Sequence, residues 1–203
     1  MIIHRKQNLI ALENHLQDCR NCPLGPTRNN LVFGRGSEEA DIVFIGEGPG
    51  EQEDLQGSPF VGRAGQLLDK IIDAAGLTEE DYYICNIVKC RPPGNRVPAP
   101  EEVQACLGNL RQQIAYVQPK IIVLLGASAA KAIIDPKLAI TKARGKWVKM
   151  GKFLVMPTFH PAALLRDPQK KIPVWEDFQE IKRVYDQMKD GTYEDIFENE
   201  SGF

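Results

Sequence analysis

Four short apolar runs, separated by stretches of helical periodicity, constrain the fold of this chain more than any other feature. The runs are ADIVFIG from Ala40, DYYICNIV from Asp81, KIIVLLG from Lys120 and FLVMPTF from Phe153, the last as the second arm of a predicted hairpin that turns near Gly151. Apolar residues recur at helical spacing over about 6–18, 64–76, 101–117, 127–134 and 174–189. Strands that alternate with helices predict a mostly parallel sheet with helices on both faces. No repeat or long linker divides the chain, so we expect one domain over residues 1–189 and an acidic tail over 190–203.

Polar side chains follow three of the predicted strands at the point where each strand ends. Glu47 follows the first run, Asn86 lies at the end of the second, and His160 follows the last. Ligands of open parallel sheets bind beyond the carboxyl ends of the strands. An asparagine at a strand end is often a turn residue and a lone histidine is often a satisfied core group. The coincidence of all three favours a shared binding site.

The segment after the first run, GEGPGEQEDLQGSPFVGRAGQ from Gly46, is rich in both glycine and acid. It matches neither the dinucleotide motif G-x-G-x-x-G nor the phosphate loop G-x-x-x-x-G-K-[ST]. Its four carboxylates would repel a phosphate at close range, although they leave a Mg²⁺ site open as an alternative. The segment therefore indicates close approach to a ligand that is not itself an anion.

Four of the five cysteines form a pattern typical of a metal centre. Cys19 and Cys22 make a C-x₂-C pair, and Cys90 and Cys106 follow in a loop and an early helical turn. Four thiolates can hold either Zn²⁺ or a [4Fe–4S] cluster, and the spacing does not decide between them. Cys85 lies inside the second strand, where we expect a buried thiol.

The charge balance gives no global signal for a nucleic-acid partner, because 25 basic and 27 acidic residues leave a net charge of −2. A local basic patch remains compatible with that balance. The chain has no apolar segment of 18 residues and no apolar leader at its start. We therefore expect a cytoplasmic protein with no membrane partner.

Several blocks together resemble one family, the iron–sulfur family 4 uracil-DNA glycosylases. The matching blocks are CRNCPL, GEGPGEQEDLQGSPFVGRAGQLLD, NIVKCRPPGNRVPAPEEVQAC and TFHPAALLR, in that order between Cys19 and Arg166. The resemblance implies a three-layer α/β/α sandwich around a four-stranded, mostly parallel sheet. It also implies a [4Fe–4S] cluster on Cys19, Cys22, Cys90 and Cys106. The expected enzyme is a monomer that hydrolyses the N-glycosidic bond of deoxyuridine in single- or double-stranded DNA.

The resemblance also assigns roles around the flipped base. Phe60 would stack on uracil, Asn86 would read its O4 and N3–H, and His160 would donate to O2 as negative charge develops there. Glu47 would stabilise positive charge on the sugar or orient water. The best-known members of the superfamily carry Asp at the position of Gly48, so the identity of the water-activating group stays open. On this reading the glycines admit a neutral base and the acids suit a cationic sugar.

Further residues take expected roles against the base and the DNA. Gly48 and Gly50 would lie against uracil, and the Gly50 backbone with the Glu53 side chain would exclude thymine. We expect PAALLR to form a loop that enters the DNA, with Leu164 or Leu165 as an apolar wedge and Arg166 on phosphate. A basic rim would include four further side chains: Lys89, Arg91, Arg96 and Lys142.

Two other functions remain open at this stage. The chain could bind damaged DNA without catalysis, although the presence of Glu47, Asn86 and His160 argues against that. It could also be a metal-stabilised hydrolase of free nucleotides. A third possibility, covalent capture of the abasic sugar, requires a basic insertion after the first motif that this sequence lacks.

Overall fold

The fold is an α/β sandwich, seen in a computed structural model that describes residues 2–195 and 197. Within those residues the chain forms six strands: β1 Arg35–Gly36, β2 Ile42–Gly46, β3 Tyr82–Asn86, β4 Ile121–Leu125, β5 Val148–Met150 and β6 Phe153–Thr158. It also forms eight helices: α1 Ile2–Gln17, α2 Glu51–Gln56, α3 Arg63–Ala74, α4 Pro100–Val117, α5 Ala127–Ile133, α6 Ile140–Ala143, α7 Pro161–Arg166 and α8 Lys171–Asp190. Three short 3-10 turns connect them at Gly25–Thr27, Pro93–Asn95 and Pro168–Lys170.

The sheet has the order β1-β3-β2-β4-β6-β5. Its four central strands are parallel, which confirms the predicted four-stranded parallel sheet. Two short antiparallel strands extend it, β1 against β3 and β5 against β6. Strand β5 is the first arm of the predicted hairpin, whose turn places Gly151 at φ +60°. Strand β1 was not predicted, because two residues are too few to show a periodic pattern.

Side chains of each central strand alternate between two apolar layers. Val43 and Ile45 of β2 face a layer formed with α1, α4 and α5. Ile42 and Phe44 face the other layer, formed with α3, α7 and α8. All five residues of β2, β3 and β4 are buried, as expected for parallel strands covered on both faces. The arrangement confirms the predicted three layers.

The segment PAALLR is a helix, so the expectation of a loop was wrong. Pro161 occupies the first helical position, where its missing N–H has no partner to lose. His160 caps the helix, because its imidazole Nδ1 accepts a hydrogen bond from the Ala162 backbone N–H at 3.1 Å. Six residues are too short to stand out as a periodic pattern, and the same holds for α2 and α6.

The chain beyond α8 turns back onto the domain. Gly191 ends the helix in the left-handed region at φ +71°, and Tyr193 and Phe197 pack against the α8 side of the core. Lys149 pairs with Asp195. The predicted acidic tail is therefore held at these positions, while residues 196 and 198–203 of that tail lie outside the described residues. No helix in the described part of the chain is long and apolar enough to span a membrane.

Candidate active site and cysteine centre

A cleft of about 760 Å³ opens at the carboxyl ends of the four parallel strands. It collects the loop after β2, the end of β3, the start of α5 and the start of α7. All six residues expected to contact the base line this one cleft: Glu47, Gly48, Gly50, Phe60, Asn86 and His160. The three polar residues predicted from strand ends are thus brought together.

Phe60 forms an aromatic wall of the cleft. Its ring stacks against the His160 imidazole, with the ring centres 5.6 Å apart and the planes 28° apart. The backbone of Phe60 adopts φ +56°, a left-handed conformation that a bulky side chain rarely takes. Two glycines allow this placement. A Cβ on Gly65 would lie 1.8 Å from the Phe60 carbonyl oxygen, and one on Gly46 would lie 2.6 Å from the ring.

Asn86 is the last residue of β3, and its side chain is 2% exposed. Its Oδ1 is buried and has no hydrogen-bond partner among the described residues. A buried acceptor without a donor is costly, by roughly 1–3 kcal/mol. An acceptor in this state at a cleft wall is suited to a ligand N–H.

The His160 imidazole is a neutral hydrogen-bond donor. Burial, and then the positive charge of Arg166, lower the pKa of the His160 imidazole to about 4, against a smaller opposing effect of Glu53. Nδ1 accepts from the Ala162 N–H, so the neutral ring carries its proton on Nε2. The second nitrogen is therefore a hydrogen-bond donor at neutral pH.

Glu47 is oriented by a residue that the sequence analysis missed. The Ser128 hydroxyl donates to Oε2 of Glu47 across the cleft. Ser128 lies in the first turn of α5, just after β4. The strand-end rule could have found it, because β4 is the one central strand whose carboxyl end the sequence analysis did not search for polar groups.

Glu53 holds the loop together and does not project freely into the cleft. Its Oε2 accepts from the Gly50 N–H at 3.1 Å, and its Oε1 accepts from the N–H groups of Val61 at 3.0 Å and Gly62 at 2.7 Å. Because both oxygens are engaged by backbone, the side chain is a poor candidate for direct exclusion of a thymine methyl. It fixes the two ends of the glycine-rich segment relative to each other.

Two of the expected DNA contacts are contradicted by burial. Leu164 is 1% exposed and packs in the core beneath α7, so it cannot be a wedge. Lys89 is also 1% exposed and cannot belong to a basic rim. Leu165 is 42% exposed, which leaves it as the apolar side chain of this helix available to a partner.

The basic rim is formed by residues on several elements. Arg91 lies outside the cleft lining, where its Nε donates to Asn95 Oδ1 at 2.8 Å and its Nη2 lies 3.6 Å from Glu51. Lys142 is exposed but does not line the cleft. Within the described residues the cationic side chains of the cleft lining include two that were predicted and two that were missed: Arg96, Arg166, Arg63 and Lys170.

The four predicted cysteine ligands line a second, small cavity between α1, the loop after β3 and α4: Cys19, Cys22, Cys90 and Cys106. Cys85 is fully buried in β3 as expected. Burial raises the pKa of the Cys90 and Cys106 thiols. No group of three or more His, Cys, Asp or Glu side chains in the described residues is set to hold a metal ion as they stand.

A positively charged side chain, that of Arg28, lies against this cavity. The Arg28 guanidinium donates to Cys90 Sγ at 3.1 Å and to the Leu16 carbonyl at 3.0 Å. Four soft donors beside a guanidinium that donates to sulfur fit an anionic thiolate centre. The chemistry of the donors, and not their spacing as described, therefore fits the cluster that the resemblance implies.

Comparisons with known proteins agree with this fold. Residues 33–184 match the family described as the Uracil DNA glycosylase superfamily. The chain therefore belongs to that superfamily. It is 46% identical over 182 residues to a type-4 uracil-DNA glycosylase of Thermotoga maritima, covering 88% of this chain and 95% of that protein.

Two further relatives carry the same name. One, from Saccharolobus solfataricus, is 44% identical over 186 residues, covering 87% of this chain and 86% of that protein. Another, from Archaeoglobus fulgidus, is 42% identical over 185 residues, covering 86% and 92%. Within the superfamily, the chain belongs to the type-4 group.

Proposed function

We propose that this protein is a uracil-DNA glycosylase of base-excision repair, which releases free uracil from DNA and leaves an abasic site. The observation that carries the proposal is the buried, unpartnered Oδ1 of Asn86 beside the stacked pair of Phe60 and His160. That wall offers one aromatic face, one unmet acceptor and one neutral donor. A base must leave the duplex to reach it.

Asn86 supports selection of uracil over cytosine. With the amide held as in the structure, Oδ1 accepts from uracil N3–H and Nδ2 donates to O4. Cytosine presents an acceptor at N3 and a donor at N4, so both contacts would be lost and the buried Oδ1 would stay unpaired. Discrimination by groups of this kind reaches several orders of magnitude, because the penalty falls on buried polar atoms.

The reaction breaks the bond between C1′ of the sugar and N1 of uracil. The electron pair leaves with the base, and His160 Nε2–H donates to O2 as the charge develops there. Its depressed pKa keeps the ring neutral, so His160 acts as a hydrogen-bond donor and retains its proton. Glu47 is oriented by Ser128 and would face the sugar, where positive charge develops. Water then adds through its oxygen to C1′, and the carboxylate orients it and takes up its proton.

We also propose that the four cysteines hold a [4Fe–4S] cluster. Such a cluster would join the loop after α1, the loop after β3 and helix α4 into one unit. The loop after β3 carries Arg96, which lines the cleft. The chain's own contribution is to present four thiolates, with Arg28 compensating their charge. A colourless protein with stoichiometric zinc would overturn this assignment.

The proposed partner is uracil-containing DNA, single- or double-stranded, and we propose a monomer acting in the cytoplasm. The cationic side chains Arg63, Arg166 and Lys170 along the cleft support phosphate contacts despite the negative net charge. The guanidinium of Arg96 is instead paired with the buried Glu102 carboxylate. Exposed Leu165 at the tip of α7 supports a wedge into the stack.

The test compares uracil-containing and thymine-containing oligonucleotides with anaerobically purified protein, scoring strand breaks after alkali. We expect cleavage of the uracil strand only. Glu47→Ala and His160→Ala should each lower kcat by roughly 10²–10³-fold, as expected for loss of a group that stabilises transition-state charge. Glu79→Ala, an exposed site at the opposite end of the sheet, is the control and should match wild type.

Two results would refute the proposal in different ways. Tight binding of uracil-containing DNA without strand breaks would favour a damage-binding protein. Turnover of free nucleotides with no action on the oligonucleotide would favour a nucleotide hydrolase.

A further inference from the structure

One charged residue, Lys89, lines the cysteine cavity and does not line the cleft. Lys89 is 1% exposed, although lysine is almost never fully buried without a charged partner. It follows the base-reading Asn86 by three residues and directly precedes Cys90. In the sequence, Lys89 therefore lies between a residue of the cleft and a residue of the cysteine centre.

The contacts of Lys89 run in both directions. Its ammonium Nζ donates to the Asn86 backbone carbonyl at 2.7 Å. Lys89 also lines the cysteine cavity and lies near the sulfurs of Cys85 and Cys106. Its charge acts on both of those sulfurs. The residue thus bridges the end of β3 and the cysteine cavity.

Among the residues that the structure describes, no carboxylate balances the charge of Lys89. In the described part of the chain no Asp or Glu lies within ion-pair distance of its Nζ. A single carbonyl does not repay the desolvation of a buried ammonium, which amounts to several kcal/mol. The anionic groups that could repay it are thiolates, and Cys106 is one of the four proposed cluster ligands.

We propose that Lys89 is a positioning residue that couples the cysteine centre to the base-reading amide. The negative charge of the loaded centre holds the ammonium in place, and the ammonium holds the Asn86 carbonyl. The main chain that carries the Asn86 amide is thereby fixed most firmly when the centre is loaded. The part of this inference that concerns Asn86 rests on the proposed function. The part that concerns the charge balance between Lys89 and the cysteine centre does not.

The experiment uses the loaded protein, purified anaerobically, and compares Lys89→Met with wild type and with Lys120→Met. Methionine keeps most of the length and removes the charge. Lys120 is half exposed at the amino end of β4 and pairs with Asp41 on the surface, so it controls for loss of a lysine charge elsewhere. Two readouts need no substrate: the reduction potential of the cluster, and the rate at which an iron chelator removes it.

Removing a positive charge beside the centre makes an added electron less favourable, so we expect Lys89→Met to lower the reduction potential. We expect cluster release to accelerate roughly 10- to 100-fold, because losing a group that supports the ligands from behind usually costs that much in metal affinity. Lys120→Met should change neither. A Lys89→Met protein with the reduction potential and cluster release rate of wild type would overturn the proposal that Lys89 balances the charge of the cysteine centre.

The coupling to Asn86 is tested by kcat/KM on a uracil-containing oligonucleotide, which we expect to fall roughly 10-fold in Lys89→Met because a small misplacement of a reading group is costly. Altered cluster properties with unchanged kcat/KM would overturn the coupling alone. If Lys89→Met does not fold, Lys89→Arg decides: a retained potential with lower kcat/KM supports the proposal, and a lowered potential refutes it. Inactive wild-type protein would instead refute the glycosylase, while the potential and release rate would still test the charge balance.

Discussion

Substitution of Gly65 by alanine should damage the cleft through the backbone of Phe60, without removing any side chain that is expected to contact the base. Gly65 lies in the first turn of α3, where its own backbone suits alanine. The added Cβ would lie 1.8 Å from the Phe60 carbonyl oxygen, 2.1 Å from its carbonyl carbon and 2.6 Å from its Cα. Ordinary contact begins at 3.4 Å, so the Phe60 backbone must retreat by about 3.4 − 1.8 = 1.6 Å.

The expected losses of stability and activity follow from the displacement of Phe60. Phe60 already occupies the left-handed region, so its backbone has few alternative conformations. Overpacking of this kind costs about 1–3 kcal/mol of unfolding free energy. A displacement of an ångström or more at a positioning group lowers catalysis roughly 10²-fold. We therefore expect Gly65→Ala to fold but to lose about two orders of magnitude in kcat/KM.

The matched control is Gly108→Ala. Gly108 lies within α4, and a Cβ there meets no heavy atom within 4 Å. The same substitution should raise the unfolding free energy by about 0.5–1 kcal/mol and leave kcat/KM unchanged. Uracil release under single-turnover conditions and urea unfolding provide the two measurements. A Gly65→Ala protein with wild-type kcat/KM would refute the view that the Phe60 backbone positions the pocket.

Three further predictions follow from the same geometry. The pKa of His160 is about 4, below its ordinary 6.5, so the unfolded chain takes up a proton first and the free energy of unfolding should fall as pH drops from about 6.5 to about 4. His160→Gln should flatten that part of a profile of urea midpoint against pH, and an unchanged profile would contradict the shift. Leu164→Ala should destabilise the fold by about 2–5 kcal/mol, whereas Leu165→Ala should unfold like wild type and lose activity more on duplex than on single-stranded uracil; equal losses would exclude a wedge. Arg166→Gln should lower the slope of log affinity against log salt by about 1, and an unchanged slope would place that guanidinium off the phosphates.

The architecture was predictable where the pattern was long and failed where elements were short. The four parallel strands appear as uninterrupted apolar runs because both faces are covered, and that signal survives without any knowledge of the partners. Helix α7 was missed because six residues do not complete two turns, and its cap is a histidine whose ring nitrogen replaces the usual Ser or Asp oxygen. Burial of Leu164 follows from that helix, so missing the helix is what left Leu164 beside Leu165 as a candidate wedge.

The polar residues of the site that lie at strand ends were predictable from the sequence. The sequence did not show which of the basic residues are buried and which are exposed. Lys89 lies in a stretch that also contains Arg91 and Arg96, and the sequence alone offers no reason to separate them. The tertiary structure does, because the chain turns inward at Lys89 to reach the Asn86 carbonyl. Ser128 escaped notice for the opposite reason, since a lone serine at a helix start is usually a cap.

The acidic character of the glycine-rich segment has a different origin from the one expected. Charge complementarity to a cationic sugar needs one carboxylate, for which we propose Glu47. Glu53 accepts three backbone N–H groups, and Asp54, buried at 1%, accepts from the backbone N–H groups of Asn29 at 2.9 Å and Asn30 at 3.4 Å. A segment rich in glycine forms few side-chain contacts of its own, so its shape must be fixed by acceptors for its free N–H groups. Three of these acceptor bonds hold the glycine-rich segment itself, and two hold it against the neighbouring loop. Their loss should therefore impair the pocket through geometry, before any change in its electrostatic potential is felt.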